Sequence, residues 1–364
     1  MKITCATEHF KTAVLIVERF TSRHVTLPIL SHILLTVKEK KISLIATNLE
    51  VGIEYPIPGK VQKLGAVTVP ARLITQVLQS ITEEALTLEA HQRQLILHTP
   101  TSDATILGLD TSDFPTLPTI TTEYSFTVPA EAFLTALHQV LPAVATTDLK
   151  PQLAGVFIAA SGDTVTLVAT DSFRLAEKTI PSSAGPEAAM ECVVPSRTMQ
   201  ELSRTIPSSG EVVVRIGEHQ ALFEWDGARI LSRLVDSAYP PYKNLIPKAF
   251  ETTVAIERDD FLRKIHLAAV FSSRLNDITL AVSPSEVAIS ATNPEAGDTT
   301  SRLPAKGRGS AGSVVFNHRY LTDGLEAAGG GEVVLRLNGV AGPALIQNQT
   351  DPSFLYLLMP IRAV

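Results

Sequence analysis

The sequence predicts an α+β protein built from three repeated domains, each with two helices packed on antiparallel sheets. Two observations predict it. Ala46-Thr47-Asn48 returns 123 residues later as Ala169-Thr170-Asp171 and 122 after that as Ala291-Thr292-Asn293. Within each period, stretches of helical spacing alternate in one order with short β-branched runs. The period exceeds that of solenoid units, so each repeat is a domain, and the cuts fall at 1–120, 121–250 and 251–364.

In the first repeat, Lys2 to Ala6 reads as a strand. Phe10, Val14 and Val17 then recur on one helical face, which predicts a helix over 8–20. Ile29 to Val37 and Ile42 to Ala46 read as strands around the charged turn Lys38-Glu39-Lys40-Lys41. Pro70 opens a second helix over 70–81, since proline has no amide to leave unbonded there. Leu86 to Leu88 and Leu95 to His98 return to strand. The later repeats predict helices over 131–144, 195–206, 259–271 and 317–327, with Phe133 and Phe261 in the register of Phe10. The repeats meet at the proline-rich segments 113–118 and 239–242. Pro304 to Gly312, rich in glycine and cations, reads as a flexible hairpin tip.

A 364-residue chain with 45% hydrophobic residues can bury a core in each repeat. Its two cysteines, Cys5 and Cys192, make no disulfide framework, and no Cys or His stands at metal-ligand spacing, so neither a metal nor another cofactor is expected. The start of the chain lacks a signal-peptide pattern and no apolar run reaches 18 residues, which predicts a cytoplasmic protein without membrane contact.

Motifs for catalysis are missing: there is no nucleophile elbow, phosphate loop or H-E-x-x-H. Gly329-Gly330-Gly331 follows a helix and precedes a strand, the reverse of a phosphate loop, and reads as a helix cap and turn. Asp259-Asp260 sits at a helix start, where the dipole favours acids. Each Ala-Thr-Asn/Asp ends a strand at a turn. The first and third copies read as plain turns, and only the second continues, as Ser172-Phe173-Arg174-Leu175-Ala176. A catalytic reading would put Asp171 and Arg174 in a cleft, but no further catalytic group accompanies them.

The chain resembles, from end to end, the β subunits of bacterial DNA polymerase III, the β sliding clamps. The resemblance rests on Thr26-Leu27-Pro28-Ile29-Leu30, Ala46-Thr47-Asn48-Leu49-Glu50, Val69-Pro70-Ala71-Arg72, Asp113-Phe114-Pro115, Ala169-Thr170-Asp171 with Arg174-Leu175-Ala176, Pro240 with Tyr242, and Met359-Pro360-Ile361-Arg362. It implies three clamp domains per chain and a head-to-tail homodimeric ring of pseudo-sixfold symmetry, its hole lined by helices. It also implies a non-catalytic processivity factor that encircles duplex DNA and tethers the replicative polymerase. A monomeric peptide-binding scaffold is the alternative. The net charge is −6, yet the six predicted helices hold eight cations and eight anions, so the rest of the chain carries the acidity. Such a lining tolerates phosphate without gripping it.

Three sets of residues follow from the resemblance. Arg23, His24, Arg72, Thr147 and Arg197 would lie near the duplex, with His24 where the family often has arginine. A groove for short peptides of the polymerase α subunit, the clamp loader and repair proteins would comprise Leu153, Thr170, Ser172, Phe173, Arg174, Leu175, Pro240, Asn244, Leu245, Leu357, Leu358, Met359, Pro360, Ile361 and Arg362. Here Ser172-Phe173 replaces the family's common Gly-His, Asn244 replaces a frequent basic residue, and the tail runs on to Ala363-Val364. Ala104 and Ile106 of one chain would meet Val270 and Phe271 of the other to close the dimer, with Ala104 in place of the usual aromatic.

Overall fold

The computed structural model describes residues 1–22, 27–39, 41–147 and 149–361. The predicted Arg23, His24 and Arg362 lie outside them. The first repeat runs β1 (Lys2–Ala6), α1 (Thr7–Glu18), β2 (His32–Lys38), β3 (Lys41–Thr47), β4 (Val51–Ile57), β5 (Lys60–Lys63), β6 (Gly65–Pro70), α2 (Ala71–Gln79), β7 (Ala85–His91), β8 (Gln94–His98) and β9 (Asp103–Leu107). The second runs β10 (Tyr124–Pro129), α3 (Ala130–Val140), β11 (Gly155–Ser161), β12 (Thr164–Thr170), β13 (Arg174–Pro181), β14 (Met190–Pro195), α4 (Ser196–Thr205), β15 (Glu211–Ile216), β16 (Gln220–Trp225) and β17 (Ala228–Arg233). The third runs β18 (Thr252–Glu257), α5 (Arg258–Ala269), β19 (Asp277–Val282), β20 (Glu286–Asn293), β21 (Gly297–Pro304), β22 (Lys306–Gly309), β23 (Gly312–Asn317), α6 (His318–Ala327), β24 (Glu332–Leu337), β25 (Ala344–Asn348) and β26 (Asp351–Leu358).

All six predicted helices form, each within a few residues of its expected bounds. The register markers Phe10, Phe133 and Phe261 occupy the fourth residue of α1, α3 and α5 and are fully buried. Burying each ring stabilises its repeat by about 1.5–3 kcal/mol, which explains why the position repeats. Gly329, at φ +80, follows α6 as the left-handed residue that ends a helix, as its place in the sequence suggested.

Two local expectations are corrected. Ile29 and Leu30 lie not in a strand but in a 3-10 turn, Pro28–Ser31, because Pro28 fixes the turn's first residue, and β2 begins only at His32. Pro304 to Gly312 is not a bare hairpin tip, since Lys306–Gly309 adds an edge strand to β18. Gly307 permits this pairing: a Cβ there would lie 2.1 Å from the Thr253 carbonyl oxygen.

The sheets cross the repeat boundaries. They run β5-β1-β7-β8-β9, β10-β15-β16-β17-β4-β3-β2-β6, β14-β11-β12-β13-β26-β25-β24-β18-β22 and β21-β20-β19-β23. The second joins the last strand of repeat two, β17, to β4 of repeat one, and the third joins the last strand of repeat three, β26, to β13 of repeat two. The chain therefore divides by contacts into two compact units, Met1–Ala130 with Arg204–Leu234, and Glu131–Ser203 with Val235–Val364. Among the described residues, no helix is long and apolar enough to cross a membrane.

Candidate peptide groove and nucleic-acid interface

In the second unit, the turn between β12 and β13 presents Phe173. The Thr170 hydroxyl donates to the Arg174 carbonyl at 2.6 Å and accepts from the Ser172 amide at 3.2 Å. Asp171 Oδ1 accepts from the Phe173 and Arg174 amides at 2.9 and 3.0 Å. Ser172 sits at φ +79, in the left-handed region where a serine is strained. So tight a turn turns the Phe173 side chain outward, and the residue is 60% exposed.

The first copy is the structural turn expected, its polar side chains satisfying backbone groups. It forms the same turn: Thr47 bonds the Val51 carbonyl and Leu49 amide, Asn48 Oδ1 accepts from Glu50 and Val51, and Leu49 has φ +74. The third copy differs, because β20 and β21 stay paired through Asn293 and Gly297. What distinguishes the second copy is therefore its side chains, with Phe173 where the first has Glu50 and Arg174 where it has Val51.

Arg174 locks the turn to α6. Its Nε donates to Asp171 Oδ2 at 2.9 Å, its Nη1 pairs with Asp323, and its guanidinium carbon stands 4.2 Å from the centre of the Tyr320 ring. Burial works against the charge, but Tyr356, Asp323 and Asp171 outweigh it and raise the guanidinium pKa further, so Arg174 stays charged. The Tyr356 hydroxyl donates to the Tyr320 carbonyl at 2.9 Å. Both oxygens of Asp171 are thus engaged in holding structure, which leaves the pair unsuited to acid–base work.

The tail closes one side. The Met359 amide donates to the Phe173 carbonyl and the Ile361 amide to the Val315 carbonyl, both at 2.8 Å. A cavity of about 500 Å³ results, lined by Ser172, Phe173, Leu275, Asn317, Tyr320, Met359, Pro360 and Ile361. The rings of Phe173 and Tyr320 stack with centroids 6.5 Å apart. The walls are largely apolar, and Asn317 and Tyr320 supply polar groups. Such a surface anchors large apolar side chains of an extended peptide.

Of the predicted groove residues, five line this cavity: Ser172, Phe173, Met359, Pro360 and Ile361. Thr170 and Arg174 build the turn instead. Leu175 and Leu357 are core residues packed with Phe157, Val168, Val193, Tyr242 and Leu345, and Leu153 and Leu358 are also buried. Pro240 is half-buried, while Asn244 and Leu245 stand exposed within the 3-10 turn Tyr242–Leu245. Leu275, Asn317 and Tyr320 were missed. For Tyr320 a signal existed, since it follows the repeated arginine of α6, but that helix was read for charge alone.

Arg72 and Arg197 hold the second position of α2 and α4, both exposed, and Arg319 holds the same position in α6. A cation there opposes the helix dipole. Thr147 is exposed after α3.

Val270, 69% exposed, ends α5, and Phe271 follows it, half-buried. Ala104 and Ile106 lie on β9, an edge of its sheet. Ile106 is 2% exposed, so its side chain fills its own chain's core, and the exposed apolar residue of that strand is Leu107.

Comparison with known proteins agrees with the fold. The DNA polymerase III beta subunit family models match in order: the N-terminal domain over residues 1–118, the central domain over 127–241 and the C-terminal domain over 243–362. The beta sliding clamps of Synechococcus elongatus and Bacillus subtilis are 28% and 26% identical, each over 100% of this chain and at least 99% of the relative. Among solved structures, a Pseudomonas aeruginosa sliding clamp bound to griselimycin superposes with TM-score 0.96 at 26% identity, and the B. subtilis clamp with 0.94 at 25%, both over 100% of each chain. With all three domain models matched in order and full-length likeness to sliding clamps, the chain belongs to the DNA polymerase III beta subunit family.

Proposed function

We propose that this chain is a non-catalytic DNA sliding clamp: two copies close head to tail into a ring around duplex DNA and tether the replicative polymerase in the cytoplasm. One observation carries the ring. Each repeat ends in a strand, β9, β17 or β26, and each offers a partner strand, β4, β13 or β21. Two of the three junctions are made within the chain, and they share one register. Ile230 stands opposite Ile53 and Leu231 opposite Gly52 at the first, Tyr356 opposite Ala176 and Leu357 opposite Leu175 at the second. Counted from the helix that opens each repeat through the strand pairings, Ile230 and Tyr356 correspond to Ala104, and Ile53 and Ala176 to Thr299. The strands left over are β9 and β21. A second copy supplies what each lacks, with Ala104 opposite Thr299.

The domains of this ring are 1–120, 121–250 and 251–364. Arg72 and Arg197, at the starts of α2 and α4, and Thr147, after α3, contact the phosphates, and the family resemblance adds Arg23 and His24 to that set. The cavity at Phe173 and Met359, with the surrounding predicted residues, receives peptides of the polymerase α subunit, the clamp loader and repair proteins.

The register gives the test. In Ala104→Cys/Thr299→Cys protein, a short thiol cross-linker is expected to join chains in pairs, while each single variant stays uncoupled. Cys5 and Cys192 contribute little background, because burial pushes their thiols up to about 11 and about 12. A chain that stays monomeric and unlinked at micromolar concentration would instead be the peptide-binding scaffold.

A further inference from the structure

We infer that the linker between the first two repeats roofs a second ligand site, one that takes a small carboxylic acid with a compact apolar body. Every residue involved belongs to the first compact unit, so the site exists whether or not a ring closes and whatever binds at Phe173.

The sheet supplies the floor. Arg215, Leu222, Leu231 and Gly52 stand opposite one another across β15, β16, β17 and β4, and two residues along each strand Val213, Glu224, Arg229 and Glu54 form a second row on the same face. Gly52 ends the first row without a side chain. Leu117 of the linker lies in that notch, since a Cβ on Gly52 would stand 2.4 Å from its Cδ2. At its other end the linker touches the sheet again: a Cβ on Gly217 would stand 2.5 Å from the Thr121 carbonyl oxygen, and the Glu123 amide donates to the Ile216 carbonyl at 2.9 Å. The segment 117–122 therefore arches between two glycines. A cavity of about 260 Å³ lies between arch and sheet, with Leu222 and Leu231 on the sheet side, Pro118 and Ile120 on the linker side, and Arg215, Glu224 and Arg229 at the rim.

The rim selects an anion. Arg215 Nη1 pairs with Glu224, Arg229 Nε and Nη2 approach Glu54 Oε2 at 2.7 and 2.6 Å, and Lys41 Nζ stands 3.7 Å from Glu54 Oε1. This ladder of Arg215, Glu224, Arg229, Glu54 and Lys41 holds three cations against two anions, an excess of one positive charge. A guanidinium carries five N–H donors, so Nε and Nη2 of Arg215 and Nη1 of Arg229 keep donors for a further acceptor among the described residues. Guanidinium forks at the mouth of an apolar cavity match a planar carboxylate whose hydrocarbon part points inward. The cavity is smaller than the roughly 300–1,000 Å³ of drug-sized sites, so the hydrocarbon part is one ring or a short chain. A bound acid ties the linker to the sheet and stabilises the fold by mass action.

Titration of the full chain with 3-phenylpropanoate, followed by ligand-observed NMR, tests this. Saturation with a dissociation constant below about 1 mM is expected, and 3-phenylpropan-1-ol, which has the same ring and no charge, is expected to bind about tenfold more weakly. Arg215→Gln is expected to weaken the acid about fivefold, and Leu222→Phe, which fills the cavity, to abolish its binding, both with the affinity for a polymerase-derived peptide unchanged. A fluorinated tag on Thr119→Cys, an exposed linker position, reads the location without disturbing the floor, and its resonance is expected to shift with the same concentration dependence. No saturation up to about 10 mM of the acid would overturn the site. Equal binding of acid and alcohol would overturn its selectivity for carboxylates. Binding that ignores Arg215→Gln and Leu222→Phe and leaves the tag unshifted would place the acid elsewhere, and the site would fall while the clamp reading stood.

Discussion

At the scale of single residues, strain and charge are concentrated where the groove is built. Leu49 and Ser172 hold left-handed backbone that glycine adopts freely. Leu49→Gly is expected to raise stability by up to about 1 kcal/mol and Ser172→Gly by less, read as a shift in melting temperature. Arg174 is the opposite case: Arg174→Ala leaves Asp171 without its ion partner and is expected to cost about 2–3 kcal/mol and to abolish peptide binding. Glu54 gives a pH signature. Burial raises its pKa, but Arg229, Ser43 and Lys41 together outweigh burial and hold it below the ordinary glutamate value. A carboxylate held low adds stability that is present at neutral pH and is lost as pH falls from about 4.3 through its folded value. Arg229→Ala is expected to lower stability at pH 7 and flatten that acid limb in urea titrations. The sequence showed that the second Ala-Thr-Asn/Asp copy is special, because Phe173-Arg174 stands beside it. It read the first copy as a turn too, but could not show that side chains as different as Leu49 and Ser172 take the same left-handed backbone there.

At the scale of elements, period and proline carried most of the information. All six helices were legible, because each has an apolar face and three share a buried phenylalanine in register. Edge pairing was not legible. Lys306–Gly309 has no apolar alternation, and only its approach to β18 makes it a strand. Five lining residues of the cavity were found through the turn and the tail, whereas Leu275 comes from the loop after α5 and Asn317 from the junction of β23 and α6. The floor depends on α6. Gly324 lies inside that helix because a Cβ there would stand 2.4 Å from the Tyr356 ring. Gly324→Ala is expected to displace Tyr356, break its bond to the Tyr320 carbonyl and weaken peptide binding at least tenfold, although alanine favours helix. Calorimetry with a polymerase-derived peptide reads the effect.

At the scale of the whole molecule, the threefold repeat explains the sheets and the sheets explain the partner. Successive repeats share sheets, so the chain leaves β9 and β21 as unpartnered ends of two of them. The near-neutral charge of the six helices suits a channel that lets duplex DNA slide, and the second repeat with the tail forms the cavity proposed for docking. The charge of −6 alone argued against nucleic acid, and only its distribution removed the objection. Encirclement is the central claim, and topology tests it directly. The protein is loaded by its clamp loader onto nicked circular DNA, which is then linearised, and the protein remaining on the DNA is measured. The ring predicts that it stays on the circle and slides off the linear molecule. Retention on linear DNA with free ends would contradict it.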